Sequence, residues 1–545
     1  MEMMHFLKRR LVAVVLISTL ATALAHNQKT AHGQQAAQVQ PSAEDKQAKS
    51  TEEDFYRLVT LTASKSPSAS RSKHWKPSPE GLPLEISGME FLPDSRLAVA
   101  IRKGEIWFID GVYQEPPVNL VYHRYANALH EPLGLLLHQG DLYTAQRTEL
   151  TRIRDEDGDQ VADSYLTVAK GWGVTGNYHE YAFGPELDGK GNLWVTLNLG
   201  MGLTPEQKEL VVPDAPLGYR QGKWRGWGMK LTPDGQWQAS CAGMRSPAGI
   251  GVNQEGDAFY TDQQGNWVAT NSLHHLRDGA FFHHAEALAS MDQEGAMVNG
   301  IKKVPSGLPL PAALKEFPEL CPPAVWFPYK KVGQSATDIV LDDSDGKFGP
   351  FSGQFFVGEF TQAAMNRVFL EKIGDQYQGA CFPFRLGFAS AVLRMIQGED
   401  GSIFAGLSNR GWSSLGSASY GLQRLVWTGK MPFEIKEMRA KSDGFELVFT
   451  KPVSRASAEN LNSYRLSRYT YLYHSSYGSD EIQKADLSVK DAVVSDDGLR
   501  VRLRIDGMRE HFVHELVAAG VRDLDGSGLL HSDAYYTLNR IPKND

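Results

Sequence analysis

The feature that most constrains this chain is a recurring local pattern: a turn of Gly, Asp or Asn, a short run of alternating apolar residues, then a polar loop. Six copies stand at 92–100 (LPDSRLAVA), 137–145 (LHQGDLYTA), 184–196 (GPELDGKGNLWVT), 253–261 (NQEGDAFYT), 353–358 (GQFFVG) and 398–406 (GEDGSIFAG). Alternation with a period of two marks a half-buried strand, and the punctuation between runs marks tight turns. Taking Leu97, Leu142, Leu193, Ala258, Gln354 and Ile403 as register marks, the spacings are 45, 51, 65, 96 and 49 residues. A unit of about 45–50 residues is the size of one four-stranded propeller blade. The longer intervals leave room for insertions at 201–240 and 286–330, expected on the rim of one face. A single four-stranded sheet cannot bury both faces, whereas a closed ring of them does and also removes free edges. The expected fold is therefore all-β, a six-bladed β-propeller over residues 53–430, with the strand at 420–427 completing the last unit. At Lys430-Met431-Pro432 the pattern changes to strands separated by Asp-Gly turns, so residues 431–545 are expected to form a small Ig-like or fibronectin-like β-sandwich. Its segment YLYHSSYGSDE reads as unusual for a strand protein, or as a polar loop packing on the propeller. The 52 Gly and 27 Pro, with 24 Phe, 20 Tyr and 11 Trp, suit many short strands better than a helical bundle.

The start of the chain is set apart from this pattern. Lys8, Arg9 and Arg10 precede an apolar run that ends in Ala23-Leu24-Ala25, the order of a secretory signal with a small-residue cleavage site. Residues 1–25 are therefore expected to be a signal peptide, and residues 26–52, rich in Gln, Ala, Ser and Lys, a disordered linker. A periplasmic or secreted location follows, with no membrane span after cleavage, since no later apolar run reaches about 18 residues. The net charge of -8 becomes -10 once Glu2, Lys8, Arg9 and Arg10 are removed. No basic stretch tracks a phosphate backbone, so nucleic acid is not an expected partner. Cys241, Cys321 and Cys381 permit at most one disulfide and fit no zinc or haem-attachment spacing. A haem that accepted electrons from this chain would belong to an external partner.

Asp155, Asp157, Asp159 and Asp163 stand at relative positions 1, 3, 5 and 9 of DEDGDQVAD, with a main-chain carbonyl at 7, which suggests a Ca2+ loop. Gln160 replaces the usual Gly and Leu166 the usual bidentate acid, so a solvated acidic turn is the alternative. The paired histidines His274-His275 and His283-His284 are expected to be structural or rim residues. No Walker loop, dinucleotide fingerprint or nucleophile elbow stands in its proper setting.

The segments NYHEYAFGPELDGKGNLWVT, GMRSPAGIGVNQEGDAFYTDQQGN and SLHHLRDGAFF resemble the glucose/sorbosone dehydrogenase family of six-bladed propellers, the soluble quinoprotein type. PLGLLLHQGDLYTAQRTELTRIRDEDGD, RGWGMKLTPDG, PAVWFPYKKVGQSATDIV and YGLQRLVWTGKMPFEI resemble, more closely, secreted dehydrogenase-like proteins of planctomycete-type bacteria, which carry a C-terminal sandwich. The resemblance implies that His179 is the general base for a sugar hydroxyl, and that Arg245 of Arg245-Ser246-Pro247-Ala248-Gly249 contacts the cofactor pyrroloquinoline quinone. The pair is chemically apt, because imidazole can be neutral near physiological pH and a fixed guanidinium stabilises charge developing on oxygen. Two departures stand out. Glu359-Phe360-Thr361-Gln362 replaces the family's Lys loop, and Phe388-Ala389-Ser390-Ala391-Val392 replaces its Arg pair. Those cations hold the three carboxylates of the quinone, so its binding is put in question.

Loops equivalent in the repeat bring further candidates to one mouth: His130, Glu131, Gln146, Arg147, Trp172, Tyr178, Asn198, Trp227, Asp262, Gln263, Asn266, Trp267, Gln334, Asp338, Asn409, Arg410 and Trp412. Amides bond hydroxyls and flat rings cover C–H faces, which suits a carbohydrate. The expected function is an exported sugar dehydrogenase-like oxidoreductase acting on a hydroxyl or aldehyde at the mouth. The alternatives are a quinone-free lyase or epimerase, and a non-catalytic propeller that binds glycan or protein.

Overall fold

Six antiparallel four-stranded units account for residues 56–427 of this computed structural model, which describes residues 50–63, 82–200 and 222–543. The expected signal peptide and nearly all of the expected linker lie outside the described residues. Blade 1 comprises Ile86–Phe91, Leu97–Ile101, Glu105–Asp110 and Val121–Ala126. Blade 2 comprises Leu136–His138, Asp141–Ala145, Glu149–Arg154 and Ser164–Lys170, and blade 3 Ala182–Leu187, Leu193–Leu197, Trp227–Leu231 and Trp237–Ala242. Blade 4 is Pro247–Val252, Ala258–Asp262, Asn271–His275 and Val325–Phe327; blade 5 is Ala336–Leu341, Phe355–Glu359, Ala364–Ile373 and Gln376–Arg385. Blade 6 takes Val392–Gln397, Ile403–Ser408 and Tyr420–Trp427 from the end of the ring and Tyr56–Leu61 from its beginning.

The register marks of the sequence repeat coincide with second strands. Leu97, Leu142, Leu193, Ala258 and Ile403 lie in them, and Gln354 precedes the fifth by one residue. Inner strands pack on one another in cyclic order from blade 1 to blade 6 and back to blade 1. Threonines stitch neighbouring blades: Thr261 donates its hydroxyl to the Thr337 carbonyl at 2.5 Å, and Thr337 to that of Val392 at 2.6 Å. Two glycines make the closest approach possible. A Cβ on Gly88 would lie 2.6 Å from the backbone of Gly134, and one on Gly134 2.3 Å from that of Gly184.

The structure corrects two details. Tyr420–Trp427 does not finish blade 6; Tyr56–Leu61 pairs outside it, from Tyr56↔Trp427 to Leu61↔Leu422, and joins the two ends of the ring. The span 201–240 is not wholly an insertion either, because Trp227–Leu231 and Trp237–Ala242 are the outer half of blade 3; residues 201–221 lie outside the described residues.

Beyond the ring, Ile435–Lys441, Gly444–Phe449, Arg500–Ile505 and Val489–Val494 form one sheet. Asp533–Leu538, Phe512–Val517, Arg465–Thr470 and Ile482–Leu487 form a second, which continues blade 5 through pairing of Asp533–Leu538 with Gln376–Arg385. Met438, Phe445, Leu447, Val501, Leu503, Leu516, Tyr536 and Leu538 fill the space between the two sheets. The sandwich is thus built onto the outer edge of a blade, and contacts gather Ser50–Asp545 into one compact unit. All three cysteines are free thiols. No helix among the described residues is long and apolar enough to cross a membrane.

Candidate functional site

Within each blade the chain crosses from face to face with every strand, so the loops after second strands and the loops entering first strands emerge on the same face. His179 lies in the loop entering blade 3, and Arg245 in the loop entering blade 4. Both line one cavity of ≈ 250 Å³ on that face. Its wall holds the amides of Gln263, Gln264 and Gln334, the hydroxyls of Ser246, Ser335 and Thr361, and the rings of Tyr329, Trp412 and Tyr477.

The His179 loop has no regular structure and is fixed by side chains. Asn177 Oδ1 accepts the His179 backbone N–H at 3.0 Å, and Glu180 accepts both the N–H and the hydroxyl of Thr175, at 2.6 and 2.8 Å. Arg147 donates to the carbonyls of Tyr178 (2.9 Å), Asn177 and Glu180 (both 3.3 Å) and bonds Glu131 Oε2 at 2.7 Å. The imidazole itself has no hydrogen-bond partner among the described residues. Burial, with Arg245 and Arg147 nearby, lowers its pKa below the ordinary histidine value, so at neutral pH it carries a free lone pair.

Arg245 is set in place by the second strand of blade 4. Asp262 Oδ2 accepts its backbone N–H at 2.9 Å, and Asp262 Oδ1 that of Ser246 at 2.7 Å. The guanidinium passes close to Gly265, where a Cβ would stand 2.0 Å from Nε, and its carbon is 5.5 Å from the centre of the Tyr477 ring. Nε is buried without a partner.

Tyr477 reaches this place from the C-terminal sandwich. Trp267 N–H donates to the His474 carbonyl at 3.1 Å, Asn266 Nδ2 to that of Ser475 at 2.9 Å, and Gly478 N–H to that of Gly265 at 2.9 Å. Trp267 also packs on Tyr473, with ring centres 5.2 Å apart. Asn266 and Trp267 therefore hold this loop against blade 4 instead of lining the cavity.

The remaining candidates separate by position. Asn198 and Arg410, with Arg102, line a narrow throat of ≈ 30 Å³ that shares Ser246, Gln263 and Trp412 with the cavity. Asn198 Nδ2 bonds Ser246 Oγ at 2.9 Å, Arg410 pairs with Glu85 at 2.9 Å, and the Trp412 ring packs tilted against Phe360, with centres 4.6 Å apart. Glu131 is held between Arg102 and Arg147, and Gln146 accepts the His130 N–H and donates to Thr151 at 2.7 Å. These side chains brace the neighbouring loops. Tyr178 is exposed beside His179, with ring centres 5.5 Å apart, and Asn409 donates its N–H to Ser419 at 3.0 Å; neither lines the cavity.

Trp172 and Trp227 are core residues, 5% and 0% exposed, whose ring N–H groups donate to the carbonyls of Arg147 and Ala287. Asp262 is fully buried, its oxygens spent on backbone N–H groups; burial raises its pKa to about 6, those N–H groups opposing. Asp338 faces the opposite end of the central tunnel, a cavity of ≈ 270 Å³ that it shares with Glu90, Glu186 and Arg394. Sequence reasoning missed Tyr477, Tyr329, Gln264, Ser246, Ser335 and Thr361 at the site.

His274 and His283 are buried with their Nε2 atoms 2.9 Å apart, and His284 is buried beside them. In the acidic loop, oxygens of Asp155, Asp157 and Asp159 lie within 4.8 Å of one another. Asp163 is not among them; its Oδ2 accepts the Glu156 N–H at 2.7 Å, and the oxygens of Asp155, Asp157 and Asp159 likewise accept backbone N–H groups of the turn.

The quinone implied by the resemblance carries three carboxylates, and Arg245 is the one cationic side chain among the described residues lining the cavity. Glu359, in the Lys loop, is a buried carboxylate that accepts the N–H groups of Gln334, Ser335 and Gln362. Phe388, Ser390, Ala391 and Val392, in place of the Arg pair, are buried and uncharged. The lining does not fit that group.

No family model and no curated sequence matches this chain. Among solved structures it is similar to an oxidoreductase (glucose dehydrogenase) from Thermus thermophilus, at 17% identity over 63% of this chain and 97% of that one, with a TM-score of 0.44. It is similar to the PQQ-bound aldose sugar dehydrogenase of Streptomyces coelicolor, at 13% identity over 68% and 98%, with a TM-score of 0.44. It is likewise similar to the soluble aldose sugar dehydrogenase of Escherichia coli in its apo form, at 14% identity over 68% and 99%, with a TM-score of 0.40. The propeller is recognised here from its own six sheets, and the site from its own side chains.

Proposed function

We propose that this chain is a carbohydrate-directed enzyme of the sugar dehydrogenase type, exported from the cytoplasm, with His179 as general base and Arg245 as electrostatic stabiliser. One observation carries the proposal: two side chains of complementary chemistry, each without a hydrogen-bond or ionic partner beyond Tyr477, face the same cavity. The neutral imidazole takes a proton from a sugar hydroxyl, or from a carbon next to a carbonyl, and the guanidinium holds the negative charge that develops on oxygen. Gln263 and Gln264 tie their amide nitrogens to the carbonyls of Ala336 and Ala269, at 3.2 and 3.1 Å, and leave their oxygens to accept ligand hydroxyls. Tyr329, Trp412 and Tyr477 offer faces for the C–H surface of a sugar ring.

The single cation favours a second reading, in which the same base and stabiliser perform elimination or epimerisation without a quinone. Purified chain incubated with aldoses, with and without quinone and an artificial electron acceptor, separates the two: acceptor reduction supports oxidation, and product without reduction supports the second. His179→Gln should lower turnover by about 10²–10⁴-fold with the fold retained. Undiminished turnover removes His179 from the mechanism. Calcium at Asp155, Asp157 and Asp159 belongs to the proposal as a stiffener of the turn between the outer strands of blade 2; a chelator should lower Tm, and an unchanged Tm withdraws it. If oxidation is seen, the hydride passes to a two-electron acceptor supplied with the sugar, such as the added quinone, and an external haem protein is the proposed acceptor of the electrons from it.

A further inference from the structure

The arginines around this mouth differ in one respect. Arg102 and Arg147 are paired with Glu131, Arg410 with Glu85, and Arg225 donates to the carbonyls of Gly173, Tyr181 and Arg147. Arg245 forms no ion pair among the described residues; Tyr477 hydrogen-bonds its guanidinium, and its Nε has no partner. Its neighbour Asp262 sits behind it, with both oxygens engaged by the N–H groups of Arg245 and Ser246. No Asp or Glu among the described residues lines the cavity, and His179 is held neutral by burial and by the positive charges near it. The walls therefore present one positive charge that no carboxylate touches from within the cavity, with the buried Asp262 behind it and Tyr477 hydrogen-bonded to it.

A guanidinium withdrawn from water and left unpaired is costly, and a planar anion that takes two parallel N–H bonds relieves that cost best. The rest of the wall is uncharged, with amide oxygens, hydroxyls and rings. A bare inorganic anion would leave those groups unused. The cavity of ≈ 250 Å³ is also smaller than the ~300–1,000 Å³ common for drug-sized ligands, which suits a single sugar unit.

We propose that the ligand of this cavity is a sugar acid, whose carboxylate is held by Arg245 beneath Tyr477 while its hydroxyls meet Gln263, Gln264 and His179. Gly265 and Tyr477 fix the guanidinium from two sides, one with backbone and one with a ring. This deepens the function proposed above and rests on it only in placing the ligand at the same cavity.

Isothermal titration calorimetry of the purified full chain with D-glucuronate, D-glucose and acetate tests it, since glucuronate differs from glucose by a carboxylate in place of the terminal hydroxymethyl group. Glucuronate should bind about tenfold or more tightly than either, and added salt should weaken glucuronate without changing glucose. Arg245→Gln should bring glucuronate down to the level of glucose, and Arg245→Lys should recover part of the difference. Equal affinities, absent glucuronate binding, or a preference that survives Arg245→Gln would each overturn the proposal. If the variants do not fold, the salt dependence of the wild-type chain decides alone. Turnover of neutral aldoses without preference for the acid sinks this inference and leaves the enzyme standing; tight glucuronate binding without turnover of any sugar does the reverse.

Discussion

Gly265 shows how a residue without a side chain can decide what the neighbouring charge does. Because a Cβ there would lie 2.0 Å from Arg245 Nε, Gly265→Ala should push the guanidinium out of its seat and weaken glucuronate binding about tenfold or more, with little change in Tm. Calorimetry and a melting curve check the two halves separately. Titration matters at the other end of the tunnel. Burial, with Asp338 and Glu90 adding repulsion, raises the pKa of Glu186 to about 8, above its unfolded value. The folded chain then binds a proton that the unfolded chain has lost, so stability falls as pH rises from about 4.5 through 8. Glu186→Gln should raise stability at pH 8 by on the order of 1 kcal/mol and leave it unchanged at pH 4, read from Tm at the two values. His179 and Arg245 enter as candidates only through the family resemblance that their flanking segments carry, and both line one cavity. Trp172 and Trp227 are expected at the rim and found in the core, because an aromatic's size can be read from the chain but not which side of the sheet covers it. The loop that carries Tyr477 can be read as a polar loop packing on the propeller, but not the place where it packs: it reaches blade 4 across 209 residues, from Asn266 to Ser475, a distance over which no local pattern extends.

At the scale of elements, the second strands are the legible part, since each carries its own turn and its own alternation. Third and fourth strands are harder. Trp227–Leu231 and Trp237–Ala242 read as insertion because the long interval before them breaks the spacing of the repeat. The closing strand Tyr56–Leu61 illustrates the limit. Its alternation is visible locally, but its partner Tyr420–Trp427 lies at the far end of the ring. It buries Tyr56, Val59 and Leu61, each worth roughly 1.5–3 kcal/mol, and covers an edge that would otherwise be free. Removing the chain through residue 61 should therefore cost about 5 kcal/mol or more, seen as a lower denaturation midpoint.

For the whole molecule, the propeller and the sandwich share a sheet, a site and a charged junction. His531 bonds Glu434 Oε1 at 2.6 Å and Glu52 Oε1 at 3.1 Å, joining the start of the ring to the C-terminal sheets. Burial opposes its protonation, but the two carboxylates outweigh burial and hold its pKa up to about 9. This junction stabilises the chain fully below about pH 6.5 and loses its effect as pH rises through 9, so His531→Gln should narrow the difference in Tm between pH 6 and pH 10. Ending the chain at residue 430 should expose the Gln376–Arg385 edge and remove Tyr477 from the cavity, giving a product that aggregates and has lost its ligand affinity. The ring can be read from the sequence because its repeat is local and regular; its union with the sandwich cannot, because that depends on pairing between distant strands. The most direct test of the central claim is a crystal structure of the full chain soaked with D-glucuronate. The account predicts the sugar in the mouth cavity, its carboxylate on Arg245, one hydroxyl within ~2.6–3.2 Å of the His179 imidazole, and the ring of Tyr477 beside it. A sugar seated instead among Glu90, Glu186 and Asp338, or a mouth in which His179 and Arg245 open onto separate spaces, would contradict it.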